Sequence, residues 1–225
     1  MRTERLLLHT PETWPDLAAA MAAGSDPEAQ RWLGGTDVIT DAQARETLLE
    51  LRPGDTDALR SSPGVRSLPA RPVEIRPDRA AEILVAVRLD DGRYAGSAQL
   101  HPGTGRIGGS LAPHARGQGL GAELFAAAAL LGHTHLGLQV VRAGHESANT
   151  RSARALAGAG FVADDGPPRH TLEDGREIDA RWLRHTAPGP TSRCRAAGPA
   201  VPSAHAESSA DAEHQEPTDI DDRLS

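Results

Sequence analysis

The sequence predicts a mixed α/β domain in which helices decorate about six or seven strands, followed by an acidic tail without fold. Three observations carry this. Short apolar runs alternate with segments whose apolar residues recur at helical spacing. Asp90-Asp91-Gly92 and Asp174-Gly175 each sit between apolar runs and read as hairpin turns. Hydrophobic periodicity stops at Ala187. The 225 residues therefore divide into a domain over 1–186 and a tail over 187–225.

The elements follow in order. Thr3–His9 reads as a first strand, and Trp14–Ala23 as a helix with Leu17 and Met21 four apart. Asp26–Leu33 is a second helix, because Asp26 suits an N-cap and Pro27 the first helical position. Asp41–Leu51 is a third, burying Leu48 and Leu49. An irregular Arg-, Pro- and Gly-rich stretch then runs over about 52–80, long enough to be either functional or disordered. Ile83–Leu89 and Arg93–Leu100 form a hairpin, and Thr104–Leu111 is a further strand set off by Pro102-Gly103. Leu120, Leu124, Ala127 and Leu131 mark a helix over Leu120–Leu131. Leu136–Ala143 reads as a strand and Thr150–Ala159 as a helix. In the last hairpin Ile178, Ala180 and Trp182 alternate onto one face.

Composition excludes several classes. No apolar run reaches the length of a membrane span, and the N-terminus lacks a secretory signal, so a cytoplasmic protein is expected. Cys194 is the single cysteine, so no disulfide or cysteine-based metal site can form within the chain. The formal charge of −7 argues against bulk nucleic-acid binding. All 24 basic residues are Arg, which removes any lysine nucleophile. From Ala187 onward seven acids face three arginines among Ala, Pro, Ser and Gly, a composition that cannot offset the entropy of ordering.

The most informative segment is Leu111-Ala-Pro-His-Ala-Arg116-Gly117-Gln118-Gly119-Leu120-Gly121. It joins a strand to a helix through three alternate glycines. Glycine lets backbone N–H groups approach a ligand, and the helix start leaves N–H groups unpaired at its positive end. Together these make a phosphate site, to which Arg116 adds charge. A P-loop needs a Lys that is absent, and the G-x-G-x-G spacing departs from the dinucleotide fingerprint.

Arg116-Gly117-Gln118-Gly119-Leu120-Gly121 resembles the pyrophosphate-binding signature [QR]-x-x-G-x-[GA] of the GNAT N-acetyltransferases. Further segments resemble their Rim-type branch, the ribosomal-protein alanine acetyltransferases. These are Leu111-x-Pro113, Asn149-x-x-Ser152 with Ala159-Gly160-Phe161, Thr3–Leu8, Asp26–Leu33, and Asp174-Gly175 with Ile178-Asp179. The resemblance covers roughly residues 2–185. It implies a mostly antiparallel sheet splayed at the cofactor site. It also implies direct transfer of acetyl from acetyl-CoA to a primary amine, with no covalent enzyme intermediate and no metal. The cofactor-binding residues it implies are Leu111, Arg116, Gly117, Gln118, Gly119, Leu120, Gly121 and Asn149, with an N–H near Leu111 as oxyanion donor. Gly108-Gly109 suits a bulge or a close approach on the matching strand.

The leaving thiolate needs an acid and the amine needs a base. Ser152 matches the Rim-type position near the sulfur, while the single Tyr94 lies on another hairpin. The same Ser152 also suits helix capping chemistry, and Asn149 an N-cap. No acid stands on the strand before the signature, so the base is water or His101, ahead of His114. His133 and His135 read as solvated, and Trp14, Trp32 and Trp182 as core or groove-lining. The acceptor is a protein N-terminus or a small amine, and a homodimer is allowed for. The alternative is a GNAT-fold CoA-binding module that has lost catalysis, motivated by the missing acid.

Overall fold

The structure is a computed structural model that describes residues 1–35, 38–52, 55 and 82–188. Nearly all of the 52–80 stretch and of the 187–225 tail lies outside the described residues. The chain runs β1 (Leu6–His9), α1 (Trp14–Gly24), α2 (Pro27–Leu33), α3 (Ala42–Leu49), β2 (Glu82–Arg88), β3 (Tyr94–His101) and β4 (Arg106–Leu111). It continues through a 3₁₀ turn (Pro113–Ala115), α4 (Leu120–His135), β5 (Val140–Glu146), α5 (Thr150–Gly158), β6 (Val162–Asp164), β7 (Arg169–Thr171) and β8 (Glu177–Thr186). Among the described residues no helix is long and apolar enough to cross a membrane.

The sheet order is β1-β2-β3-β4-β5-β8-β6, with β7 also paired to β8. Every pair is antiparallel except β4–β5. The strands number eight, more than expected, because β8 is ten residues long and offers edge to two short partners. β6 pairs with Trp182–Arg184 and β7 with Glu177–Asp179. Neither three-residue strand has an alternation the sequence could display.

The two faces carry separate cores. On one, Ala98, Leu100, Ile107, Val141 and Ala143 pack against Leu120, Leu124 and Ala128 of α4 and Leu156 of α5. On the other, Val85, Val87 and Tyr94 pack against α1 and α3 through Ala18, Ala19, Ala22 and Leu48. Each fully buried Leu contributes about 1.5–3 kcal/mol of apolar burial. α1 buries alanines where Leu17 and Met21 were expected to lead, and Leu17 is only half-buried.

Several boundaries move, and one matters for function. β1 begins at Leu6, since Thr3–Leu6 closes a turn through the Thr3 hydroxyl and amide. β5 was expected over Leu136–Ala143, but α4 runs on to His135 and the Leu138 amide donates back to the Gly132 carbonyl at 3.1 Å. The apolar residues after Leu131 thus end a helix, and the strand starts later. It continues through Gly144-His145-Glu146 because β8 pairs with it as far as Ala180.

Candidate active site

The parallel pair β4–β5 is joined only at Arg106↔Arg142 and Ile107↔Ala143. Beyond that point β4 stays paired to β3 as far as Leu111, and β5 to β8 as far as Glu146. The two strands therefore part, and among the described residues no strand pairs with their facing edges. The Ala112 amide donates to the Ala95 carbonyl at 2.9 Å. Hydrogen-bonded pairs alternate along an antiparallel ladder, so Ser110 and Gly108 bond to β3. The N–H groups of Gly109 and Leu111 then point into the gap. The Leu111 carbonyl is engaged by Arg116 Nε at 3.1 Å. Of the predicted glycine pair, Gly109 answers a close approach, since a Cβ there would lie 2.6 Å from the Ser97 carbonyl oxygen. The ladder has no bulge at this point.

The gap opens onto the glycine loop. Gln118 Nε2 braces the loop on the His114 carbonyl at 2.8 Å. Gly117 (φ 75°) and Gly119 (φ 77°) both take the left-handed conformation that favours glycine. A Cβ on Gly117 would meet nothing within 4 Å, and one on Gly119 only Arg5 Nη2 at 3.6 Å. The loop surface is thus open, and its amides lead into the N-terminus of α4. Gly121 differs: its Cβ would lie 3.2 Å from Ala155 Cβ, so it sets how closely α4 and α5 pack. Leu120 is buried in the core, which leaves only its backbone for a ligand.

Two arginines flank the loop, and Arg116 lines the cleft. Arg5 Nη1 donates to the Gln118 carbonyl at 2.7 Å, placing an unpredicted cation beside the loop. Glu123 in the first turn of α4 holds it there, accepting from the Arg5 amide at 2.7 Å and from Nε at 2.9 Å. Burial pushes the Glu123 carboxyl up, but the hydrogen bonds from Thr3 and Arg5 outweigh it and its pKa is lowered. Arg116 turns away from the loop: Nη2 lies 2.8 Å from Asp26 and Nη1 3.0 Å from Glu28. Its charge is neutralised, so it pins the start of α2 to the end of β4. Glu28 is also bridged by Arg151 of α5.

The gap, the loop and α2 line one cleft of about 1140 Å³. Asn149 and Ser152 line it as expected, and Asn149 does act as N-cap, its Oδ1 accepting from the Ser152 amide at 3.0 Å. Among the described residues its amide NH₂ has no hydrogen-bond partner. His101 lines the cleft half-buried. His114 does not, because its Nε2 meets the Tyr94 carbonyl at 2.8 Å, and burial followed by the Arg93 charge lowers its pKa. Tyr94 is buried in the second core with its hydroxyl unpartnered, and burial pushes that phenol up. Glu146, which the displaced strand boundary hid, lines the cleft at the open end of the gap. Val141 and Ala143 face α4, so Arg142, Gly144 and Glu146 share the opposite face.

The acetyltransferase (GNAT) domain profile matches residues 5–162. The chain belongs to the GNAT acetyltransferase family. The activity that membership carries is acetyl-CoA-dependent N-acetylation. A GNAT-family acetyltransferase from Bacillus anthracis superposes with TM-score 0.56 at 17% identity, covering 82% of this chain and 96% of that one. The ribosomal-protein-S5-alanine acetyltransferase from Vibrio fischeri gives TM-score 0.54 at 16% identity over 83% and 95%. The spermidine N-acetyltransferase from Vibrio cholerae, in complex with CoA and spermine, gives TM-score 0.56 at 14% identity over 82% and 96%. At these identities the likeness is one of fold. No curated protein matches the sequence.

Three further readings of this GNAT domain need correction or refinement. His133 is not solvated: it is half-buried, its Nδ1 meets the Leu138 carbonyl, and its Nε2 lies 2.9 Å from His185 Nδ1. His135 is exposed as expected. Trp14 is 42% exposed at the start of α1, neither core nor groove. Trp32 and Trp182 do line the cleft.

Proposed function

We propose that this domain moves an acetyl group from acetyl-CoA directly to a primary amine within the β4–β5 gap. The observation that carries the reading is the gap itself. Two unpaired N–H groups, Gly109 and Leu111, face it, and it opens onto a left-handed glycine loop at a helix N-terminus. The residues present fit acetyl-CoA: the amides of 117–121 suit a pyrophosphate, and the gap suits an extended arm that bonds to strand edges. Acetyl-CoA supplies the acetyl group as a thioester.

The chain's own groups then divide the work. The Leu111 N–H is aimed to hold the carbonyl oxygen as it gains charge. Glu146, on the face away from α4, takes the proton from the attacking amine, directly or through one water. The sequence favours water or His101 for this role; His101 also lines the cleft, and Glu146 is preferred because a carboxylate stands at the end of β5. Ser152 and the amide of Asn149 stand by the departing sulfur, which leaves as the CoA thiol after taking a proton. The new bond is N–C and the broken bond is C–S, with no net redox change. An acid at the strand end removes the motive for a non-catalytic module.

The test is thiol release from acetyl-CoA across N-terminal peptides, polyamines, aminoglycosides and free amino acids. Turnover on one class, abolished in Gly119→Glu and lowered in Ser152→Ala, is the expected result. Tight acetyl-CoA binding without turnover on any class would overturn the reading.

A further inference from the structure

We propose that the acceptor is a free amino acid whose carboxylate docks on Arg106 while its amine faces Glu146. The inference rests on the acetyltransferase reading and narrows its acceptor. Arg106 opens β4 at the closed end of the gap, opposite His101 of β3 and beside Arg142 of β5. Ile107 is buried against α4, so Arg106 lies on the other face, with Gly144, Glu146 and Trp182. Its guanidinium sits 4.9 Å over the Trp182 ring, and Nη2 donates to His170 Nε2 at 3.3 Å.

Among the described residues the charge of Arg106 is not neutralised by an acid. Arg142 beside it is engaged by Asp164 at 2.7 Å. Among the described residues no carboxylate comes within ion-pair distance of Arg106. A half-buried, stacked guanidinium with free N–H groups facing a cleft presents the fork that a carboxylate fills. Its aromatic platform is fixed: Trp182 Nε1 donates to the Pro167 carbonyl at 2.8 Å, and the ring lies against Gly144 and Gly166.

Spacing sets the size of the acceptor. Trp182 is level with Gly144, and Glu146 is two residues further along β5, roughly 7 Å at strand rise. A hydrogen bond of about 2.9 Å at each end takes up most of that span. A backbone spacing of this size suits an acceptor whose amine and carboxylate are separated by few bonds. A polycation fits poorly, since it would bring positive charge against Arg106. Of the described acids lining the cleft, Glu28 is already bridged by Arg116 and Arg151, leaving Glu146 and Glu173.

The experiment measures thiol release with the full chain on free amino acids, each paired with its carboxamide. Spermidine, an aminoglycoside and an alanyl peptide serve as other arms, and acetyl-CoA binding is followed by calorimetry. The expected result is a preference of at least tenfold in kcat/KM for one or more acids over their amides. In Arg106→Gln that preference falls below threefold through KM, and Arg106→Lys restores it in part; acetyl-CoA affinity is unchanged in both. Equal rates on acid and amide, or turnover confined to carboxylate-free amines or to the peptide, would overturn the inference and leave the transferase standing. No turnover on any arm with acetyl-CoA bound would overturn both.

Discussion

Replacing each glycine of the loop by alanine separates two roles that look alike in sequence. Gly117 and Gly119 have φ of 75° and 77°, and a Cβ on either meets nothing closer than 3.6 Å. The cost of alanine there is conformational, about 1–2 kcal/mol. For a domain of this size that lowers Tm by roughly 2–8 °C. If the loop relaxes instead, it turns an amide away from the phosphate, and a charge-assisted hydrogen bond is worth about 1.5–3 kcal/mol. That weakens acetyl-CoA binding by roughly 10–100-fold. Gly121 behaves differently. Its alanine gains about 1 kcal/mol of helix propensity but meets Ala155 Cβ at 3.2 Å, so α4 and α5 must shift by a few tenths of an ångström. The two effects nearly cancel, and affinity stays within about threefold because the amide remains in place. Calorimetry with acetyl-CoA and a thermal melt on each variant give the comparison. Gly121→Ala weakening binding as much as Gly119→Ala, or Gly117→Ala and Gly119→Ala binding like wild type, would refute the division of roles.

Other expectations can be checked with ordinary assays. Glu146→Gln should lower kcat by about 10²–10⁴-fold, the usual range for a lost general base, with acetyl-CoA affinity unchanged in calorimetry. Tyr94→Phe should raise stability in urea by about 1 kcal/mol, because it removes a buried hydroxyl that has no hydrogen-bond partner among the described residues. Stability should fall on acidification. Burial, then the neighbouring His133, holds the His185 pKa below its ordinary value, and burial followed by Arg106 does the same for His170. Both bind protons more readily when unfolded, so the folded state is favoured above the ordinary pKa of about 6.5 and loses that advantage as pH drops below it. His185→Gln should flatten part of the decline in Tm between neutral and mildly acid pH, with His170 and His114, whose pKa burial also lowers, contributing to the rest.

The glycine loop proposed to hold the pyrophosphate was legible in the sequence because its conformation is decided locally. Alternate glycines, a helix start and the Asn149 cap are all decided by near neighbours in the chain. The same holds for α2, whose Asp26 accepts from the Glu28 and Ala29 amides at 3.2 Å as its spacing implied. What escaped depends on partners far along the chain. Arg116 looked like a phosphate ligand, yet Asp26 and Glu28, about ninety residues earlier, claim it. Arg5 reads in the sequence only as part of the first-strand segment Thr3–Leu8, and it reaches the loop because the start of β1 lies beside the start of α4. Glu146 was hidden by a boundary: Leu136, Leu138 and Val140 alternate as a strand would, but the first two close a helix. Once β8 fixes the register of β5, the acid falls at the mouth of the gap.

The most direct test is a crystal structure of the protein with acetyl-CoA. The expected result places the pyrophosphate on the amides of residues 117–121, the pantetheine arm between β4 and β5, and the thioester carbonyl within hydrogen-bond distance of the Leu111 amide. An acetyl-CoA molecule bound elsewhere, or a β5 that closes onto β4 through Leu111 and leaves no gap, would contradict it.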